Sequence, residues 1–315
     1  MKNYGFLMVN IFILCTSCTV FKPEPISERN YAYDYIPFKE GTKAVILPET
    51  PTLKLSNNLP KLDGASALYP LYAAFVQAVY LEGDYFPYRE SLVRVHATPY
   101  AYENLINGEA DIIFCARPSN EQIEIAKEKG MEFHMTPIGR DAFVFFVNKK
   151  NKVSHLTTEQ IRNIYSGQIT NWSELGGRKN EIRIFQRPKN SGSQTILESI
   201  MGDVDIIEPK TENVLGGMLE IINQTAVYRN YRDALGYSFL FYTTQMVMND
   251  KIKLLAIDNV FPSTETIQNG TYPYADVFYA ITTNTKNYNV EDFINWILSE
   301  QGQYLVEKTG YVPIR

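Results

Sequence analysis

Three short stretches of this sequence set a hydroxyl residue beside a small or helix-starting neighbour, directly after an apolar run and directly before an amphipathic one: Ser66-Ala67, Thr98-Pro99 and Ser191-Gly192-Ser193. The chemistry such loops can do is anion capture. The first N–H groups of a helix lack intrahelical partners and the helix dipole places partial positive charge there, so an oxyanion can supply the missing acceptors. A hydroxyl adds one donor, Gly192 removes a Cβ from the approach, and Pro99 at a first helical position gives up an N–H that has no partner anyway. Each loop alone also reads as an ordinary N-cap, and Ser191 with Gln194 spells a capping box. Arg187, four residues before Ser191, adds weight to the anion reading, because a guanidinium on a strand-to-helix loop can aim bidentate hydrogen bonds where the dipole already favours negative charge. Its alternative is an exposed Arg in a surface ion pair.

Catalysis asks for more than donors. Neither Ser66 nor Ser191 has a paired base in the sequence pattern, and His96, His134 and His155 show no ligand spacing to one another or to Cys115, so neither nucleophilic nor metal-assisted phosphoryl chemistry is indicated and no cofactor is expected. His96, close to Thr98, reads as a surface or capping residue. Arg140-Asp141 reads as a structural ion pair, and Trp172 as core packing. A net charge of −5 without a basic cluster argues against nucleic acid as a partner.

The elements that must position the three loops alternate in the manner of an α/β chain. Strand-then-helix units run from Lys61–Asp63 into Pro70–Tyr80, from Leu92–Val95 into Pro99–Asn107 and from Asp111–Cys115 into Asn120–Lys129. A strand Ala142–Asn148 leads to a helix Thr157–Tyr165 announced by the capping-box pair Thr157 and Gln160. Strand Glu181–Phe185 leads to a helix Gly192–Met201. The segment Gly216–Asn223 follows, then the apolar stretch Gly236–Tyr242 and the segments Lys253–Ile257 and Ala275–Thr282. One long helix, Val290–Lys308, is capped by Asn289 and stopped at Gly310.

The first residues read as an export signal: Lys2 ahead of an apolar run to Leu14, then Thr16 and Ser17 before Cys18, too short to span a membrane and stay. Cys18 fits the acylated first residue of a bacterial lipoprotein, with Cys15 standing where Leu is usual. The chain is then exported and anchored in a membrane by lipid, on the periplasmic or outer surface of a bacterium. That leaves Cys115 as the single cysteine of the mature chain, with no intrachain disulfide available. Residues 19–60 read as a tether and irregular arm rich in Pro, with Tyr31, Tyr33, Tyr35 and Phe38 docking part of it.

Taken together, Arg187…Ser191-Gly192-Ser193, Asp63-Gly64-Ala65-Ser66-Ala67, the run from Ile161 to Trp172, Leu235-Gly236-Tyr237-Ser238, Tyr272-Pro273 and Gly302-Gln303…Gly310-Tyr311-Val312-Pro313 resemble the substrate-binding proteins of phosphate ABC transporters, over about Leu62 to Arg315. The resemblance implies an α/β, two-lobed periplasmic-binding-protein fold of type II, each lobe a mixed sheet flanked by helices, joined by two crossover strands near Asp141–Phe146 and Tyr274–Tyr279. It implies a first lobe of residues 61–141 and 274–315, a second of residues 142–273, and the ligand between them. It also puts anion contacts on Ser66, Ala67, Thr98, Arg187, Ser191, Gly192 and Ser193, the loops already singled out.

One position departs from that family. Where relatives carry an Asp that accepts the proton of hydrogen phosphate, this chain reads Phe114-Cys115-Ala116-Arg117-Pro118. Ala116 cannot accept a proton. Arg117 is a further candidate donor, or else a surface or inter-lobe ion pair, and Glu103, one turn beyond Thr98, is a candidate replacement acceptor, or else a solvated helical Glu. The expected function is a monomeric solute-binding lipoprotein that captures phosphate or a similar oxyanion and hands it to an ABC transporter permease. A sensor or surface-assembly protein of the same fold is the alternative, with a phosphatase-like enzyme behind both.

Overall fold

The computed structural model describes residues 31–227 and 233–314. The leader with Cys18 and the first part of the tether lie outside the described residues, and no helix among those described is long and apolar enough to cross a membrane.

The strands are β1 Leu62–Gly64, β2 Ile112–Cys115, β3 His134–Asn148, β4 His155–Leu156, β5 Arg183–Ile184, β6 Ala234–Phe239, β7 Ile252–Leu254, β8 Ala256–Ile257 and β9 Ala275–Thr282. The α-helices that matter below are α1 Tyr69–Val79, α2 Ala97–Ile106, α3 Asn120–Glu128, α4 Thr158–Tyr165, α5 Gly192–Met201, α6 Met218–Ala226, α7 Thr264–Gln268, α8 Asn289–Ile297 and α9 Glu300–Thr309. The main sheet runs β1-β2-β9-β3-β6-β5, with β7 also on β3. Its parallel pairs, β1 with β2 and β5 with β6, sit at the two ends, and antiparallel pairs through β9 and β3 join them.

β3 runs from one lobe of the fold into the other. From His134 to Ala142 it pairs with β9, and from Phe143 to Val147 with β6 on one edge and, at Phe146–Asn148, with β7 on the other. A strand has two edges, so β9 must leave before β7 can arrive. The residues from Phe143 to Val147 are all apolar and buried, the signature of a strand covered on both faces. The preceding half is polar and carries Pro137 and Gly139, and the register slips between these two. A bulge absorbs the missing donor of a proline. Gly139 is needed there, since a Cβ would sit 2.4 Å from the Phe278 ring.

Three expectations need correction. Leu92–Val95 is not a strand: Val93 makes a single bridge to Leu62. The strand read as Ala142–Asn148 begins eight residues earlier, at His134, because its first half lacks the apolar run that marks the second. The long C-terminal helix is two, broken at Leu298–Ser299: Ser299 caps α9, Gln303 Nε2 donates to Ile297 O at 3.1 Å, and Gly302 lies so close to Ile297 O (2.2 Å from an added Cβ) that only glycine fits the reversal.

The arm from residue 31 packs on the α1 and α9 side. Leu55 N donates to Val79 O (2.9 Å), Lys54 Nζ to Ala78 O (2.7 Å) and Thr52 N to Gln301 Oε1 (2.8 Å), while Tyr33 meets Phe86 and Tyr88 ring to ring. Ala32, Ile36, Ala44, Leu47 and Leu55 are buried, the contribution that four aromatic residues near its start suggested.

Candidate functional site

The first two loops are built onto β1 and β2. Ala65 N donates to Phe114 O (2.9 Å), and Gly64 passes so close over β2 that a Cβ would lie 2.6 Å from Phe114 O. Ser66, Ala67 and Leu68 then form a 3-10 turn leading into α1, all three buried. The second loop ends on His96 and Ala97, and Ala97 holds φ +64, a left-handed conformation that an alanine adopts only at some cost. α2 thus starts one residue before Thr98 rather than at Pro99. His96 stands at the N-cap position of α2 but is buried and makes no side-chain cap hydrogen bond: its Nδ1 lies 2.7 Å from buried Asp63 Oδ2, its N–H donates to Asp63 Oδ1 (3.0 Å), and half-buried Asn104 Nδ2 donates to the same carboxylate (2.7 Å). The pair anchors the loop to β1 from behind.

The third loop carries the clearest sign of an unfilled function. Ser191 opens α5 as N-cap yet makes no side-chain cap hydrogen bond. Gln194 turns away instead, accepting from Arg187 N (3.0 Å) and from Tyr237 Oη (2.8 Å). Ser191 is 3% exposed, and its Oγ, together with Arg187 Nε and Nη1, is buried with no hydrogen-bond partner in the protein. Buried donors left unpaired are expensive. Three of them meet at one helix N-terminus, a set of donors that an acceptor with several oxygens could satisfy.

The loops converge. A Cβ on Gly192 would lie 2.9 Å from Thr98 Oγ1 and 3.7 Å from Ala116 Cβ, so the N-terminus of α5 rests directly against the second loop and the segment after β2. Ser66, Ala67, Thr98, Ser191, Gly192 and Ser193 are all buried here. Tyr102 Oη holds Ala116 O at 2.7 Å, which fixes the methyl of Ala116 beside α5. The two further candidates behave differently. Arg117 makes an ion pair with Asp276 of β9, leaving its Nε buried without a partner. Glu103 is exposed on α2 and is not brought into the cluster.

Sequence reading missed two groups. Ser119 Oγ donates to Asn190 Oδ1 (2.8 Å) and Lys189 pairs with Glu121 (2.8 Å), so the N-terminus of α3 is tied to the loop just before Ser191. The hydrogen bond from Lys189 holds the Glu121 carboxyl below its ordinary value. Asn190 takes φ +65, which Asn tolerates best after glycine. The spelling Ser119-x-x-Gln122, whose capping box does form, was the available signal.

The second group is Asp141 and Asp276, in-register neighbours on β3 and β9. The expected Arg140–Asp141 ion pair does not form, since adjacent strand residues face opposite sides. Asp141 Oδ1 instead accepts from Ala142 N (2.8 Å) and Phe241 N (3.3 Å). Burial pushes its carboxyl up to about 7, against those two N–H groups. Both carboxyls line a small cavity of about 40 Å³ that also touches Ala65, Ala67, Thr98 and Ala116. Among the described residues, no group of His, Cys, Asp and Glu could hold a metal ion. Trp172 is core, as read, with Nε1 on Asp233 O.

The chain is similar to Protein SphX of Synechococcus elongatus (28% identity, covering 81% of this chain and 84% of the relative) and to the phosphate-binding protein PstS of Bacillus subtilis (25%, 80% and 80%). Among solved structures it resembles a substrate-binding protein from Clostridium perfringens with bound phosphate (TM-score 0.61, 24% identity, 83% of this chain and 100% of that one). An ABC-type phosphate transport receptor from Vibrio cholerae matches similarly (TM-score 0.59, 20%, 82% and 99%). These likenesses show the two-lobed type II fold. Residues 59–301 match the model of the PBP superfamily domain, and the chain belongs to that family.

Proposed function

We propose that this chain is an extracytoplasmic solute-binding lipoprotein that holds a phosphate-type oxyanion between residues 61–141 with 274–315 on one side and residues 142–273 on the other, and delivers it to an ABC transporter. The observation that carries the reading is the set of unpaired buried donors on Arg187 and Ser191 at the N-terminus of α5. Ser193 and the backbone around Gly192 belong to the same helix start, and Ser66, Ala67 and Thr98 supply the opposing wall. Distant relatives that are phosphate-binding proteins support the choice of ligand and of a binding role over an enzymatic one. Closure is a hinge motion at β3 and β9 that the ligand favours by contacting both walls. Export and acylation at Cys18 rest on the leader pattern.

Calorimetric titration of the full chain with phosphate and sulfate near neutral pH tests this. Phosphate binds the wild type and is lost on Arg187→Ala. If neither anion nor any phosphate ester binds, the oxyanion reading is wrong.

A further inference from the structure

α3 and the loop before α5 belong to opposite ends of the main sheet, since α3 follows β2 and the loop follows β5. A contact between them therefore crosses from one wall of the proposed cleft to the other. Ser119 Oγ donates to Asn190 Oδ1 (2.8 Å), Gln122 Nε2 to Asn190 O (3.5 Å), and Lys189 Nζ pairs with Glu121 Oε2 (2.8 Å). Ser119 and Gln122 are buried, while the ion pair lies at the surface.

α3 does not need these contacts for itself. Its capping box is closed without them, because Ser119 Oγ accepts from Gln122 N (3.2 Å) and Gln122 Oε1 accepts from Ser119 N (2.9 Å). A hydroxyl that accepts still has its own O–H to give, and Ser119 gives it to the other side. What it reaches is a turn. Ser191 N donates to Pro188 O (3.2 Å), which closes Pro188–Ser191, and Asn190 holds φ +65 inside it. Lys189 and Asn190, the two middle residues, are those that α3 grips, and Arg187 and Ser191, on either side of them, carry the unpaired buried donors.

Resting on the oxyanion reading above, we infer that Ser119 and Glu121 are positioning residues of the anion site: from the opposite wall they hold the Pro188–Ser191 turn and so fix where Arg187 and Ser191 aim their donors. Neither belongs to the donor set. A loop already held in place loses little further freedom when the anion arrives, so the grip is expressed as affinity. Glu121 makes the case distinctive, because a carboxylate at the rim repels an anion by its charge. It favours binding through the turn or not at all.

The test compares Ser119→Gly, Ser119→Thr and Glu121→Gln with the wild type, by calorimetric titration of the full chain with inorganic phosphate and with sulfate and by melting without ligand. Glycine caps a helix nearly as well as serine but has no hydroxyl to donate. Ser119→Gly therefore binds the anion about three- to tenfold more weakly, the range of one hydrogen bond, with little change in melting temperature. Ser119→Thr keeps the donor and stays within about twofold of the wild type. Glu121→Gln removes a negative charge, so a merely electrostatic neighbour would tighten binding, whereas a positioning residue weakens it about twofold. Unchanged affinity in Ser119→Gly, a loss as large in Ser119→Thr, or tighter binding in Glu121→Gln overturns the inference and leaves the oxyanion reading standing. Absence of binding of either anion by the wild type overturns both.

Discussion

Thr157 and Ser191 open two helices with the same local spelling, a hydroxyl residue followed three positions later by Gln, and they end in opposite states. At α4 the box closes: Thr157 Oγ1 accepts from Gln160 N (3.0 Å) and Gln160 Oε1 accepts from Thr157 N (2.9 Å). At α5 it stays open, because Gln194 is drawn inward by Arg187 N and Tyr237 Oη and the Ser191 hydroxyl is left without a partner. One helix start has spent its donors on itself, and the other has kept them. The difference comes from what lies beneath each helix. Gln160 is half-buried, whereas Gln194 is 4% exposed and accepts from the buried Tyr237.

The contrast breaks most severely at Arg187. Replacing it by Ala should weaken oxyanion binding by about 2–5 kcal/mol, the usual result of deleting one partner of a buried charge pair, while thermal stability holds or rises because two unpaired buried nitrogens go with it. Isothermal calorimetry and thermal melting on the same samples check both halves. A loss of stability without a loss of binding would make Arg187 a structural residue.

Gly192 tests whether the open helix start must touch the opposite wall. An added Cβ meets Thr98 Oγ1 at 2.9 Å and Ala116 Cβ at 3.7 Å, so Gly192→Ala should oppose closure and weaken binding by about 1–3 kcal/mol, the cost of modest overpacking. Alanine suits a first helical turn, so the unliganded protein should melt no lower than the wild type. Binding affinity set beside the melting temperature without ligand separates these effects.

Asp141 carries the comparison to the hinge. Its folded value near 7 is above that of the unfolded chain, so it binds a proton in the native state that the unfolded chain has released. The stability it confers is complete below about pH 4 and is lost as pH rises through 7. In Asp141→Asn the loss disappears, and the variant should gain on the order of 2 kcal/mol over the wild type between pH 5 and pH 8.5. Urea midpoints at the two pH values measure it.

The three helix starts of the proposed site were legible in the sequence because helix starts are local: a hydroxyl, a glycine and a nearby Arg are enough to point at a helix N-terminus. The strands Ile112–Cys115 and Ala275–Thr282 were legible as apolar runs. What escaped was non-local. Asp141 looked like the partner of its neighbour Arg140 until strand alternation separated them, and its real partners, Ala142 N and Phe241 N, include one a hundred residues away. Ser119 reaches Asn190 across 71 residues. The first half of β3 was invisible because its stability comes from pairing with β9 rather than from an apolar run of its own. Glu103 was a fair candidate by helical spacing, yet spacing says nothing about which way a helix turns its face.

The smallest effects bear most directly on the two caps. Thr157→Ala removes a closed box and should cost about 1 kcal/mol of stability with no change in ligand affinity. Ser191→Ala removes a hydroxyl that bonds nothing in the protein, so its stability cost should be near zero, while affinity falls by about 1 kcal/mol as one donor to the anion is lost. Crossing two variants with two readouts, urea denaturation and calorimetric titration, gives a pattern that neither residue type nor helix position explains by itself. If Ser191→Ala costs as much stability as Thr157→Ala and leaves binding intact, Ser191 is a cap like any other, and the donors at α5 shrink to Arg187 and the backbone.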